Sequence, residues 1–307
     1  MRRRKVVRGE PDELVLRLER RVAAAPEIPV DAARERLYSP GELYDTPAYA
    51  DSLDARAHDW ARAPRTPEDA LCRALHDHAI DVALEQWVAG RHLVGVMGGH
   101  RVDRGEAAYA DAARLGAGLG RDHVVATGGG PGAMEAANLG GHFADAPDTL
   151  ADALERLAAV PSYHPSVDAW VGLAFGVLAD HPGGRDSLGI PTWHYGHEPP
   201  NPFATAIAKY FRNSLREAIL LEVCDAGIVF LPGVGGTVQE IFQDACENYY
   251  ADEEHVAPMV LVGTSYWTEE LPAWPLLREL ARGRPMERHV HLVPDVDAAT
   301  HLIVSGT

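Results

Sequence analysis

Short apolar runs alternate with amphipathic stretches along most of this chain. From residue 92 onward, runs at 93–97, 124–127, 188–193, 227–231, 258–262 and 290–293 have the length of strands buried on both faces. Helical periodicity fills the intervals at 106–119, 133–139, 204–223, 237–250, 271–282 and 296–305. Strands and helices in strict alternation predict an α/β fold, an open parallel sheet with helices on both faces.

The first 90 residues have a different texture. Charged, alanine-rich helical patterns at 13–25 and 67–89 are broken near Ser39-Pro40 and Ala63-Pro64, with no strand-like run. They predict a helical N-terminal extension over 1–90, followed by an α/β domain over 91–307. Within that domain, 142–187 is too long for an ordinary connection. Its helical patterns at 149–159 and 167–179 suit a lid or an interface element, and equally suit padding. There is no internal repeat and no low-complexity segment.

Composition narrows the function. Among 307 residues, 28 are basic and 45 acidic, a net charge of −17, which argues against sequence-independent nucleic-acid binding. Three cysteines, at 72, 224 and 246, show no CxxC spacing, so neither a disulfide framework nor a zinc motif is expected. The longest apolar run, 169–179, falls short of the roughly 20 residues that a membrane span needs. No apolar segment follows the basic start MRRRKVVR, so a cytoplasmic protein without membrane contact is expected. Lys5 and Lys209 are the only lysines, which disfavours Schiff-base chemistry.

Two glycine-rich turns follow predicted strands and open predicted helices: ATGGGPGAMEAAN, residues 126–138, and LPGVGGTVQE, residues 231–240. Glycines at the carboxyl end of a strand let the backbone approach an anion, and the next helix offers free N–H groups and a positive dipole end. Two such loops suggest a phosphate-bearing ligand held from both sides. The chain lacks GxxxxGK[ST], GxSxG and a GxGxxG after its first strand, so a P-loop NTPase, a serine hydrolase and a dehydrogenase are disfavoured.

The pair of loops resembles the LOG family of nucleoside 5′-monophosphate phosphoribohydrolases, formerly labelled lysine decarboxylases. The hallmark PGGxGTxxE is met by Pro232, Gly233, Gly235, Gly236, Thr237 and Glu240, with Val234 in place of a glycine. Arg216 matches the arginine of the preceding helix, Glu217 follows it where the family has lysine, and Arg212 competes for the role. The resemblance spans about 92–305. It implies a Rossmann-like homodimer or larger homo-oligomer that splits AMP or a related purine nucleotide into base and ribose 5-phosphate. No metal or redox cofactor is implied.

On this resemblance Glu240 and Arg216 are the catalytic pair. Gly233, Gly235, Gly236 and Thr237 hold the phosphate, while Gly129, Gly130 and Gly132 close on it with Met134 and Glu135 beside base or sugar. Gly99 and His100, after the first strand, complete the set, His100 as phosphate contact or pocket wall. The alternative is a non-catalytic nucleotide or cofactor carrier or sensor on the same fold.

Each residue also has a plainer reading. Thr237 and Glu240 have capping-box spacing, and Arg216 next to Glu217 suits a surface ion pair. Glu135 suits a solvated first helical turn. His164, His194 and His197 lack a carboxylate pattern of known ligand spacing, so no metal site is expected. Trp170, Phe175 and Leu178 have the spacing of a core-facing stripe.

Overall fold

The computed structural model describes residues 28–64, 66–194 and 198–305. The helical pattern at 13–25, the basic stretch at 1–8 and His197 lie outside the described residues. Seven strands form one sheet: β1 Leu93–Met97, β2 Val124–Thr127, β3 Ser187–Gly189, β4 Ala206–Ile207, β5 Ile228–Phe230, β6 Met259–Val262 and β7 Val290–Val293. Their spatial order is β4-β3-β2-β1-β5-β6-β7, and every pairing is parallel. Gly95 of β1 lies in register with Ala126 on one side and Ile228 on the other. The order therefore turns back at β1, as in a Rossmann-like doubly wound sheet, and leaves a crevice between the ends of β1 and β5.

Each face has its own hydrophobic core. One face is covered by α1 Pro40–Leu43, α2 Leu53–Arg62, α3 Pro67–Val88, α8 Asn213–Glu222, α9 Gly235–Tyr250 and α10 Ala273–Ala281, through residues such as Ile80, Leu84, Leu220, Ile241 and Leu277. The other is covered by α4 Ala107–Leu119, α5 Ala133–His142, α6 Pro147–Leu157, α7 Val167–Asp180 and α11 Val296–Ser305, through Leu115, Ala137, Leu157, Val177 and Ile303. Leu43, Ala57, Cys72 and Val88 belong to the same cluster as Leu93 and Ile228, so the segment before β1 shares a core with the sheet. The 22-residue α3 starts on a capping box between Thr66 and Asp69 with Pro67 as its first residue.

The segment expected as helix over 204–223 divides in two. Ala206–Ile207 is a strand, and the helix begins only at Asn213. Ile207 exchanges backbone bonds of 2.9 and 2.8 Å with Tyr38 on one side while β4 pairs with β3 on the other, so tertiary pairing overrides the local helical pattern. The expected strand at 188–193 is cut to Ser187–Gly189 by Pro191, which has no N–H to give a ladder. Lys209 follows β4, wholly buried, and pairs with buried Asp54 of α2. Asp54 also accepts from Trp193 Nε1 at 2.8 Å and Tyr49 Oη at 2.7 Å.

Helices α6 and α7 of the 142–187 segment share the second core, and α7 also packs on the N-terminal segment. Asp168 accepts the Tyr49 backbone N–H at 2.6 Å, and Phe175 meets Tyr44 edge to face at 5.7 Å. Among the described residues no helix is long and apolar enough to cross a membrane.

Candidate functional site

Four loops meet at the carboxyl edge of the sheet: 98–100 after β1, 128–132 after β2, 190–191 after β3 and 231–236 after β5. The last opens α9, whose N-cap, Val234, makes no side-chain bond to the helix. Gly235 and Gly236 are exposed, and a Cβ on either would meet no atom within 4 Å. The first N–H groups of a 16-residue helix have no partner within the helix, and the space beside these two glycines is open. Gly233 is pinned, its carbonyl accepting Tyr266 Oη at 2.8 Å, and a Cβ there would collide with the Thr237 hydroxyl. Because α9 starts at Gly235, buried Thr237 is inside the helix, and Thr237 with Glu240 forms no capping box.

Glu240 instead faces Arg216 of α8. Nη1 of Arg216 lies 3.4 Å from Oε1 of Glu240, with the side chains only 12% and 13% exposed. Arg216 Nε donates to the Ile190 carbonyl at 2.8 Å, and Nη2 lies so close over Gly128 that a Cβ there would collide with it. One guanidinium thus touches the ends of β2 and β3 and the helix after β5. Burial pushes the Glu240 carboxyl above the usual range; Arg216 opposes this and Glu217 adds to it. The surface-pair reading of Arg216 does not hold, since Glu217 accepts from Asn213 Nδ2 at 2.6 Å and from Gln239 Nε2. Arg212, the competitor, is the exposed N-cap of α8.

The first glycine loop is tied from three sides. Gly129 and Gly132 have φ of +72° and +75°, a region that favours glycine. At Gly132 a Cβ would also lie 2.7 Å from the Gly99 carbonyl and 2.8 Å from that of His100. Ala133 N donates to the Gly99 carbonyl at 3.1 Å, and Asn201 holds Gly129 and Gly130 through bonds to their carbonyls at 2.9 and 3.1 Å. Met134 reaches back beneath Gly128 and Gly130. His100, half-exposed, has Nε2 3.9 Å from Oε1 of Glu198, across the loop from Gly130.

Glu135 does not face solvent, which corrects the plainer expectation for it. Its side chain is 1% exposed and its carboxylate is gripped by Arg104, whose Nε lies 3.1 and 3.2 Å from the two oxygens. Arg104 Nη1 also donates to the Trp170 carbonyl at 3.1 Å, and its guanidinium lies 4.6 Å from the Trp170 ring centre. Trp170 is buried. Asn138, the last residue of the first glycine motif, accepts from Thr127 Oγ1 at 2.6 Å and Asn201 Nδ2 at 3.1 Å, while Arg104 and Glu198 join the site's framework without a local motif. Among the described residues, no group of three or more His, Cys, Asp or Glu is placed to hold a metal ion.

No family model matches the chain, and no curated protein matches it. Similar solved structures include the molybdenum cofactor binding protein of Rippkaea orientalis, at a TM-score of 0.43 and 18% identity over 70% of this chain and 96% of that one. Two structures of the molybdenum cofactor carrier protein of Chlamydomonas reinhardtii follow, each with a TM-score of 0.42. They are 19% and 18% identical, over 71% and 70% of this chain and 99% and 97% of theirs. All three are named for binding or carrying the molybdenum cofactor, and none is named as a LOG-family protein. The expected LOG-family membership, and with it N-glycosidic hydrolysis of AMP by Glu240 and Arg216, is corrected on that finding.

Proposed function

We propose that this chain binds a small phosphate-bearing nucleotide or cofactor at the carboxyl edge of its sheet and leaves it chemically unchanged. The observation that carries this reading is the open start of α9. Exposed Gly235 and Gly236 present free N–H groups beside the β1–β5 crevice, where sheets of this order bind ligands. The phosphate sits there. Arg216 and the 128–132 loop lie on the far side of the crevice, toward the rest of the ligand. His100 and Glu198 stand at its mouth. The protein acts as a soluble carrier or sensor in a reducing compartment, consistent with three unpaired thiols, and assembles as a homo-oligomer.

Calorimetric titration with AMP, GMP, inorganic phosphate and the molybdenum cofactor tests this, with chromatography of the ligand recovered afterwards. Saturable binding of a phosphate-bearing compound recovered intact is the expected result. Binding of none of them, or release of free base from a nucleotide, overturns the reading.

A further inference from the structure

The N-cap of α8 is served from another helix. Arg212 makes no side-chain cap of its own. Instead Asp77 of α3 points both carboxylate oxygens at the helix start: Oδ1 accepts the Phe211 N–H at 2.9 Å and Oδ2 the Arg212 N–H at 3.0 Å. The Arg212 carbonyl then accepts the N–H groups of Leu215 and Arg216, at 3.2 and 3.3 Å. The peptide clamped by Asp77 is therefore one helical turn from the guanidinium that crosses the cleft. Asp77 is itself held, 5% exposed, with its Oδ1 3.3 Å from His76 Nδ1, while His76 Nε2 lies 2.8 Å from Tyr38 Oη. A negative group at a helix start is also favoured by the helix dipole. One turn along α3, Asp81 takes only the Tyr210 hydroxyl, at 2.9 Å, and touches neither clamped N–H.

We infer that Asp77 is a positioning residue: it sets the start of α8 so that Arg216 reaches Gly128, Ile190 and Glu240 together. This gives the segment before β1 a task in the site, one that shared packing alone would not assign. The inference rests on the ligand-binding reading for its consequence, yet the placement of Arg216 can be read without any ligand. Arg216 and Glu217 of α8 both act on the Glu240 carboxyl, Arg216 lowering its pKa and Glu217 raising it. Arg216 is the larger influence and also the hydrogen-bonded one, so displacing it raises the Glu240 pKa. Loss of the Asp77 charge by itself acts in the opposite direction, so the two causes separate by sign.

The experiment follows the Glu240 carboxyl by carbon NMR across a pH titration of the full chain, with Glu240→Gln to assign the signal. In Asp77→Asn the amide keeps one acceptor and turns a donor toward a donor. The Glu240 pKa should rise, as in Arg216→Gln, and the two changes together should add nothing further. AMP affinity should fall about tenfold in parallel. Asp81→Asn should move neither quantity. Should Asp77→Asn fail to fold, Asp77→Glu keeps the charge but shifts the oxygens out of register, and the same upward direction is expected. An unchanged or lowered Glu240 pKa in a folded Asp77 variant, or an equal rise in Asp81→Asn, overturns the inference. If wild-type protein binds no AMP while Glu240 still responds as described, the ligand reading fails for AMP and the positioning role stands.

Discussion

Arg104 and Glu135 form a forked ion pair with both side chains 1% exposed, joining the loop after β1 to the helix that follows the first glycine loop. Through the Trp170 carbonyl and ring the same guanidinium reaches α7. Two charges this deep hold only while both are present. Arg104→Met should therefore lower the unfolding free energy by about 3–5 kcal/mol, leaving a buried carboxylate alone. Arg104→Met with Glu135→Leu should recover most of that loss, as an apolar pair of similar volume. Urea unfolding midpoints of the two proteins check this; a double variant no better than the single would show that the charges themselves stabilise the fold.

The glycines of the site separate fold from function. Gly132→Ala forces a side chain onto a φ of +75° and into the Gly99 and His100 carbonyls, so a loss of about 1–3 kcal/mol is expected. In Gly128→Ala the nearest obstacles are the movable tip of Arg216 and the Met134 sulfur, so the fold should survive while Arg216 is displaced. Gly236→Ala meets nothing and should leave stability unchanged within about 0.5 kcal/mol. Ligand affinity should nevertheless fall in Gly236→Ala, because the methyl occupies the space in front of the open helix start. Thermal midpoints and calorimetry on the three variants resolve these effects. Full affinity in Gly236→Ala would place the ligand elsewhere.

The architecture was legible because strands buried on both faces must be continuous apolar runs, and Leu93–Met97 and Val124–Thr127 have the bounds their hydrophobicity predicts. Ala206–Ile207 was not, since two residues carry no period and their strand state comes from Tyr38 and β3. The glycine loops were legible as backbone chemistry. Their supports were not: Arg104 lies 31 residues before Glu135, and Asp77 lies 134 before Phe211. No spacing rule links such partners, and the same distance hid the pairing of Lys209 with Asp54. Helical spacing did place Trp170 in the interior, without showing that an arginine would lie on it.

Asp81 carries a pH signature. Burial raises its carboxyl from 3.8 to about 6, against the pull of the Tyr210 hydroxyl. A carboxyl raised on folding favours the native state while protonated, below its unfolded pKa, and that benefit is lost as pH rises through the folded value. Asp81→Asn keeps an acceptor for Tyr210 and removes the titration. The variant should therefore gain stability relative to wild type as pH climbs from about 4 to 6, and hold a constant advantage above that. Chemical unfolding of both proteins at a series of pH values measures the difference. A gap that does not widen over this window contradicts the assignment.

Thiol reactivity should single out one cysteine. Cys72 is buried, its thiol pushed up to about 11, and Cys224 is buried with its Sγ donating to the Leu220 carbonyl at 3.0 Å and its thiol pushed well above the usual range. The thiolate is the reactive form, so both are shielded by burial and by protonation. Cys246 is exposed on α9. Native protein at pH 8 should therefore take up one equivalent of a thiol reagent, and guanidinium-unfolded protein three. Cys246 lies ten residues beyond Gly236, about 15 Å along the helix, so a label there should leave ligand affinity intact. Labelled protein that loses affinity would show that the site extends well past the open start of α9.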